Sequence, residues 1–353
     1  MVAQFSAQMN CVERLAYYST EVMQEADAKN ELALVRTRKS TAPPATPAGI
    51  DPAWPAHGAV EFRDVHLRYG KLDDGAVAHA TDVEAAAGVH DLTPGTSANK
   101  NSFPLGDEVL HGVSFSVRPG QKLGIVGRTG SGKSSLGIAL FRIVEPCSGA
   151  VLLDGVDTST VPLAVLRSRL SIIPQDPVLF STTLRENLDP FNLHDDAALT
   201  EALGRVRLGH LNLNLAVAEG GSNLSVGERQ LLCIARALLR KSSIILFDEA
   251  SASIDSATDA FLQAAIRVLF ADATVLTIAH RLTTVADADT VLVMDAGIVA
   301  ESGTPAELLR KPDGAFRAMV ERLGPEETES ITRIAEAHAA EVVQPETAKA
   351  AVD

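Results

Sequence analysis

The sequence predicts an α/β fold built around a phosphate-binding loop, and three observations carry that prediction. Strand-like and helix-like apolar patterns alternate from Val109 to Leu323. One strand-to-helix junction holds Gly127-Arg128-Thr129-Gly130-Ser131-Gly132-Lys133-Ser134, a complete GxxxxGK[ST] match. A further apolar run, Ser243-Ile244-Ile245-Leu246-Phe247-Asp248, ends in a carboxylate, at the strand end where open α/β sheets gather ligands.

Taken in chain order, residues 1–30 carry Phe5, Met9, Val12, Leu15, Ala16 and Val22 at roughly helical spacing and are expected to form an N-terminal helix. Residues 31–58 are expected to be a linker, rich in Pro, Ala and Thr over 38–57. Val60, Phe62, Val65 and Leu67 alternate, which predicts a strand opening a domain that spans 59–323. Residues 72–105 hold Ala, Gly, Asp and Asn without sustained periodicity and are expected to be a disordered surface insertion. The tail, 324–353, is rich in Glu and Ala and shows no clear core-facing stripe; no internal repeat is present.

Composition narrows the function classes. Apolar residues make up 46% of the chain, enough for a sizeable core. A net charge of −14 argues against nonspecific nucleic-acid binding, which rests on neutralising phosphates with Lys and Arg. Cys11, Cys147 and Cys233 are far apart and form no CxxC pair, so neither a zinc site nor a disulfide framework is expected. No run approaches 18 consecutive apolar residues, and the N-terminus lacks the basic-then-apolar pattern of a leader, so the chain reads as soluble.

The GxxxxGK[ST] match has the flanks its chemistry needs: the strand Leu123-Gly124-Ile125-Val126 before it and a helical run, Ser135 to Phe141, after it. Glycines allow main-chain N–H groups to turn toward phosphates, and the helix N-terminus adds partial positive charge. Lys133 is expected to reach the β- and γ-phosphates, and Ser134 to ligate Mg²⁺. Asp248 is expected to hold Mg²⁺ through its water shell, because that ion dehydrates reluctantly. Glu249 is placed to polarise an attacking water. An apolar run ending in Asp-Glu is weak evidence alone and strong beside the phosphate loop. His280 follows the strand Thr274-Val275-Leu276-Thr277-Ile278, and Gln175 follows Ile172-Ile173-Pro174. A lone His is more often structural than catalytic; its place at a strand end followed by Arg281 favours function. Gln175 is expected to contact metal and water.

Here the residues resemble the ABC ATPase superfamily. The deciding string is Leu224-Ser225-Val226-Gly227-Glu228-Arg229-Gln230, which resembles that family's signature motif and opens a helix. The resemblance implies a P-loop NTPase sheet with antiparallel β and α-helical subdomains. It also implies that Ser225, Gly227 and Glu228 meet the γ-phosphate held by an opposite domain. Each motif occurs once, so a second nucleotide-binding domain is implied as partner. By the same resemblance Tyr69 stacks on adenine, Gln175 is the Q-loop residue, and Asp248 and Glu249 form the Walker B pair. His280 matches the switch histidine, and Ser251 to Asp255 match the D-loop, with Asp255 facing the partner. The nucleotide-binding set is therefore Tyr69, Gly127, Arg128, Thr129, Gly130, Ser131, Gly132, Lys133, Ser134 and Ser135, with ATP and Mg²⁺ as ligands.

Further strings resemble the multidrug-resistance-associated-protein subfamily, particularly its second nucleotide-binding domain: Arg185 to Phe191, Glu219 to Ser225, and Ile278 to Leu282. Met9 to Leu15 resembles the segment where the last membrane helix of that subfamily enters this domain, and fungal multidrug transporters are the nearest likeness. The implied function is ATP hydrolysis that powers transmembrane export at the cytoplasmic face of a membrane, reached through transmembrane partner domains. Three features depart from the pattern. Val226 and Glu228 stand where the commonest signature has Gly and Gln. The insertion follows directly after Tyr69. Arg207 to Ala218 is several residues shorter than in relatives, within the helical subdomain that docks on membrane domains. Membrane domains are absent from the sequence, which leaves a fragment, a truncated product or a separate subunit.

Two other classes compete. A soluble ABC ATPase of ribosomes usually carries two such domains per chain, and one of chromosomes places a coiled coil between phosphate loop and signature, for which Gly127 to Ser225 leaves no room. A non-catalytic regulatory remnant is favoured by the missing membrane region, the insertion and the shortened helical segment.

Overall fold

Five parallel strands, buried on both faces along most of their length, organise this protein. The computed structural model describes residues 50–70, 105–248 and 256–349, all within one compact unit, Ala45–Asp353. The helix expected over 1–30, most of the linker and the insertion beyond Gly70 lie outside the described residues, as do Glu249 to Asp255.

The strands are β1 (Val60–Gly70), β2 (Leu105–Val117), β3 (Lys122–Gly127), β4 (Ser148–Leu153), β5 (Val156–Asp157), β6 (Leu170–Ile173), β7 (Ile244–Asp248), β8 (Thr274–Ile278), β9 (Thr290–Asp295) and β10 (Ile298–Gly303). They form an antiparallel sheet of order β2-β1-β4-β5 and a larger sheet of order β10-β9-β3-β8-β7-β6. In the larger sheet β9, β3, β8, β7 and β6 run parallel, and β10 closes the edge antiparallel to β9.

The helices are α1 (Lys133–Leu140), α2 (Leu163–Arg169), α3 (Leu184–Leu188), α4 (Asp196–Arg205), α5 (Val226–Arg240), α6 (Ser256–Leu269), α7 (Pro305–Arg310), α8 (Ala315–Glu321) and α9 (Pro325–Lys349). Local sequence sets several starts. Thr183 with Glu186, Ser225 with Glu228, and Thr304 with Glu307 form reciprocal capping boxes at α3, α5 and α7.

Alternation in the central strands sends side chains to different cores. Leu123 and Ile125, Ile244 and Leu246, and Leu276 and Ile278 join Leu136 and Leu140 of α1 and the inner face of the antiparallel sheet. Ile245, Phe247 and Val275 point the other way, to Leu231, Ile234 and Ile266 of α5 and α6. Val126, Val291 and Val293 enter a third cluster with Phe316, Val320 and Ile331.

Three expectations need correction. The end of the presumed linker is docked: Trp54 is 3% exposed, its Nε1 donates to Leu153 O at 2.8 Å, and Asp154 accepts from the N–H groups of His57 and Ala59. Leu105, assigned to the insertion, already pairs with Gly70, so the excursion leaves and re-enters β1 and β2 at facing residues. The tail does hold a core-facing stripe, narrow but complete: α9 buries Ile331 and Ala335, one turn apart. The short segment after Arg207 is also well seated. Leu208 and Val217 are buried, and Leu213 O and Leu215 O accept from the first N–H groups of α3 at 2.9 and 2.8 Å.

Candidate functional site

Parallel pairing brings four chain segments to one sheet edge. Ile125 pairs with Ile278 and Ile278 with Asp248, while Phe247 pairs with Ile173. The ends of β3, β8, β7 and β6 therefore lie side by side, and from them emerge the phosphate loop, His280, Asp248 and Gln175. No single stretch of sequence holds that set; the register does.

The loop between β3 and α1 is held from within. Gly127 has φ +153°, and a Cβ there would lie 2.3 Å from Met294 O and 2.6 Å from Ser131 Oγ, so only glycine fits. The Lys133 ammonium folds back to donate to Gly127 O at 2.8 Å and Arg128 O at 3.0 Å. Arg128, Thr129 and Gly130 form its exposed tip, Ser134 is exposed, and Ser131 is buried. Ser131 O accepts from Gly297 N at 3.1 Å, and Gly297 O accepts from His111 N at 2.9 Å, so the β9–β10 turn bridges the loop to β2.

The charges answer one another. Burial pushes the Lys133 ammonium below the usual lysine range, and the Asp248 carboxylate opposes that shift. Burial pushes the Asp248 carboxyl up, while His280 and Lys133 pull it down. Lys133, Asp248 and His280 thus form one electrostatic group. Two buried oxygens in it, Ser131 Oγ and Asp248 Oδ1, have no protein partner. Buried polar atoms are rarely left so. A donor-rich loop beside an unpartnered buried carboxylate oxygen is the arrangement a phosphate-bound divalent cation fits.

Tyr69 ends β1 next to this loop. Its hydroxyl lies 2.8 Å from Ser135 Oγ, and its ring packs half-buried on the core beneath α1. The cross-strand pair Arg68 to Glu108, at 2.6 Å, closes the hairpin just below the excursion. Gln175 is exposed. Glu249 and Asp255 lie outside the described residues.

Ser225, Gly227 and Glu228 belong to a separate element, the N-terminus of α5. Ser225 caps that helix, accepting from Glu228 N at 3.2 Å, while Glu228 Oε2 accepts from both Ser225 N and Ser225 Oγ at 2.8 Å. The backbone N–H of Ser225, then its hydroxyl, holds the Glu228 carboxyl below the usual range.

Sequence reading gave no role to Gln230, 3% exposed, whose Nε2 donates to Gln175 O at 2.7 Å. A polar residue in register with Ile234 and Ala237, four and seven positions on along a buried stripe, was the available signal. Arg236 was likewise missed: it donates to Val178 O and to Asn187.

The family described as ABC transporter matches residues 110–252. Mouse "ATP-binding cassette sub-family C member 10" is 44% identical over 323 residues, 90% of this chain and 18% of that protein. The "ABC-type transporter cicA" of Emericella nidulans is 40% identical over 344 residues, 92% of this chain and 21% of that protein. The chain thus spans about a fifth of the length of these curated relatives. Among solved structures, a bacterial Atm1-family ABC exporter with ATP bound aligns with TM-score 0.62 and 32% identity, covering 84% of this chain and 47% of that one.

Proposed function

The chain belongs to the ABC transporter family, in likeness to its subfamily C members, and from that premise we propose that it binds Mg-ATP, hydrolyses it against a second nucleotide-binding domain, and thereby powers transmembrane export. One observation carries the reading: the parallel register sets Asp248 and the strand end before His280 beside the glycine-closed loop that holds Lys133, and Ser131 Oγ in that loop and Asp248 Oδ1 beside it are buried without a protein partner.

The roles proposed are those that the family's motifs imply. The phosphate loop from Gly127 to Ser135 cradles the phosphates, and Lys133 neutralises their charge. Ser134, Asp248 and Gln175 are the residues that would hold Mg²⁺, which would supply charge neutralisation for the triphosphate. Glu249 orients the attacking water, and His280 stabilises charge that develops as the bond breaks. The Tyr69 ring faces the base, anchored through Ser135. Ser225, Gly227 and Glu228 serve the partner's nucleotide with the dipole of α5 behind them, and Asp255 faces the partner.

The membrane partner is supported by an exposed apolar rim. Val178, Phe180, Phe191 and Leu193 are each at least half exposed, and Phe180, Phe191 and Leu193 line a groove of about 250 Å³ bordered by Arg236 and Arg240. Scattered exposed apolar residues are ordinary, but a groove of them marks a contact surface. No helix among the described residues is long and apolar enough to cross a membrane. The seating of Leu208 and Val217 counts against the regulatory-remnant reading.

The test uses the full chain alone and mixed with a first nucleotide-binding domain. Glu249→Gln is expected to bind ATP and hydrolyse little, Lys133→Ala to lose binding, and turnover to rise on mixing. Undiminished hydrolysis by Glu249→Gln, or a rate per molecule that ignores concentration and partner, would refute the shared-site mechanism.

A further inference from the structure

One side chain joins the loop that serves this chain's own nucleotide to the helix that serves its partner's. Gln230 stands five residues after Ser225 on the core side of α5. Its Nε2 donates to Gln175 O at 2.7 Å and to Pro174 O at 3.4 Å. Both acceptors are main-chain carbonyls, so the contact fixes the backbone that aims Gln175 rather than its exposed side chain.

The same helix holds the rest of that loop. Arg236 Nη1 donates to Val178 O at 2.8 Å, and its Nε donates to Asn187 O at 2.6 Å. Asn187 in turn accepts from Phe180 N and donates to Phe180 O and Thr183 O. Residues 174 to 187 are therefore hung along α5, with Gln230 as the attachment nearest the metal-facing position. Packing alone does not account for an amide there, since burying one without a partner is costly and an apolar side chain fills the same space.

We propose that Gln230 is a positioning residue that ties the loop bearing Gln175 to the signature helix, so that a shift of α5 against a partner's nucleotide resets this chain's own metal ligand. The inference rests on the reading of Gln175 as a metal ligand given above. Such coupling is reciprocal: metal-bound nucleotide at the loop biases α5 in return.

The experiment measures ATPase activity of the full chain against Mg²⁺ concentration for wild type, Gln230→Met, Gln175→Ala and the double variant. Gln230→Met keeps length and volume and removes the donor. It is expected to raise the Mg²⁺ concentration for half-maximal rate several-fold, as Gln175→Ala does, with the double variant no worse than Gln175→Ala. Binding of ATP without Mg²⁺ should stay at the wild-type level. A second variant guards against misfolding. Gln230→Glu can donate to the two carbonyls only when protonated, so its Mg²⁺ requirement is expected to climb with pH while that of wild type does not. Full additivity in the double variant, or an unmoved Mg²⁺ requirement in both Gln230 variants, overturns the inference and leaves the Gln175 assignment standing. An unmoved requirement in Gln175→Ala overturns both.

Discussion

Replacing Ile331 by Ala tests whether α9 is a working part of the domain. Ile331 is fully buried among Phe316, Val320, Leu308 and Val285, and with Ala335 a turn later it makes up the buried face of α9 among the residues whose burial is described. Ile→Ala removes three carbons, about 2.4 kcal/mol at roughly 0.8 per buried CH₂. Core substitutions of this kind, with partial relaxation and a residual cavity, cost about 2–4 kcal/mol in all. A surface helix gains most of its stability from one packed face, so the loss falls first on local opening of α9 rather than on global unfolding. At a factor of ten per 1.4 kcal/mol, amides of α9 are expected to exchange about 30- to 700-fold faster. Hydrogen exchange read by mass spectrometry measures this directly, with Ile334→Ala, at a half-buried position, as a control of smaller effect. Because Val285 shares the cluster and lies in the turn after His280, ATPase activity should fall as well. Unchanged protection of α9 in Ile331→Ala would refute the packing argument.

Other outcomes follow from the same packing. A Cβ on Gly124 would lie 2.5 Å from Val285 Cγ1, so Gly124→Ala should destabilise by about 1–3 kcal/mol, and adding Val285→Ala should restore much of the thermal midpoint. Glu228→Gln removes a carboxylate from the surface proposed to receive the partner's triphosphate while keeping an oxygen for Ser225 N. ATP-driven association, followed by analytical ultracentrifugation, should strengthen by on the order of 1 kcal/mol, about fivefold. The hydrogen bond to Glu108 raises the His66 pKa above its ordinary value near 6.5, with Asp64 adding to it. Arg68 also pairs with Glu108, and the His111 ring lies beside it. A raised histidine pKa stabilises fully below the unfolded value and is lost as pH climbs through the folded one. The gap in thermal midpoint between wild type and His66→Gln should therefore be widest near pH 6 and close toward alkaline pH.

What the sequence disclosed and what it hid divide along physical lines. Spacing within one segment fixes the backbone of the phosphate loop, and short continuous apolar runs mark β3, β7 and β8, so those features can be read from a line of letters. Their convergence at one sheet edge also follows, because parallel strands put ligands at their carboxyl ends. Contacts far apart in the chain were not legible. Trp54 sits in a Pro- and Ala-rich stretch that reads as linker, and its place in the core rests on distant contacts, among them Leu153 O, 99 residues away. Ile331 and Ala335 are a stripe of two in an acidic helix, too narrow to register without Phe316 and Val285 opposite. Gln230 looked like part of a motif, while its partner carbonyls lie 55 and 56 residues upstream.

The β9–β10 turn sets how the two sheets communicate. Gly297 has φ +80°, and a side chain there would collide with Val109 O at 2.5 Å and His111 at 2.6 Å, so this residue is the hinge pin holding β2 against the phosphate loop. A wedge at this one spot would part the wall beneath Tyr69 from the floor beneath Lys133. The antiparallel sheet that bears Tyr69 and the loop that bears Lys133 are thereby tied through one glycine's main chain, which accepts from His111 N and donates to Ser131 O.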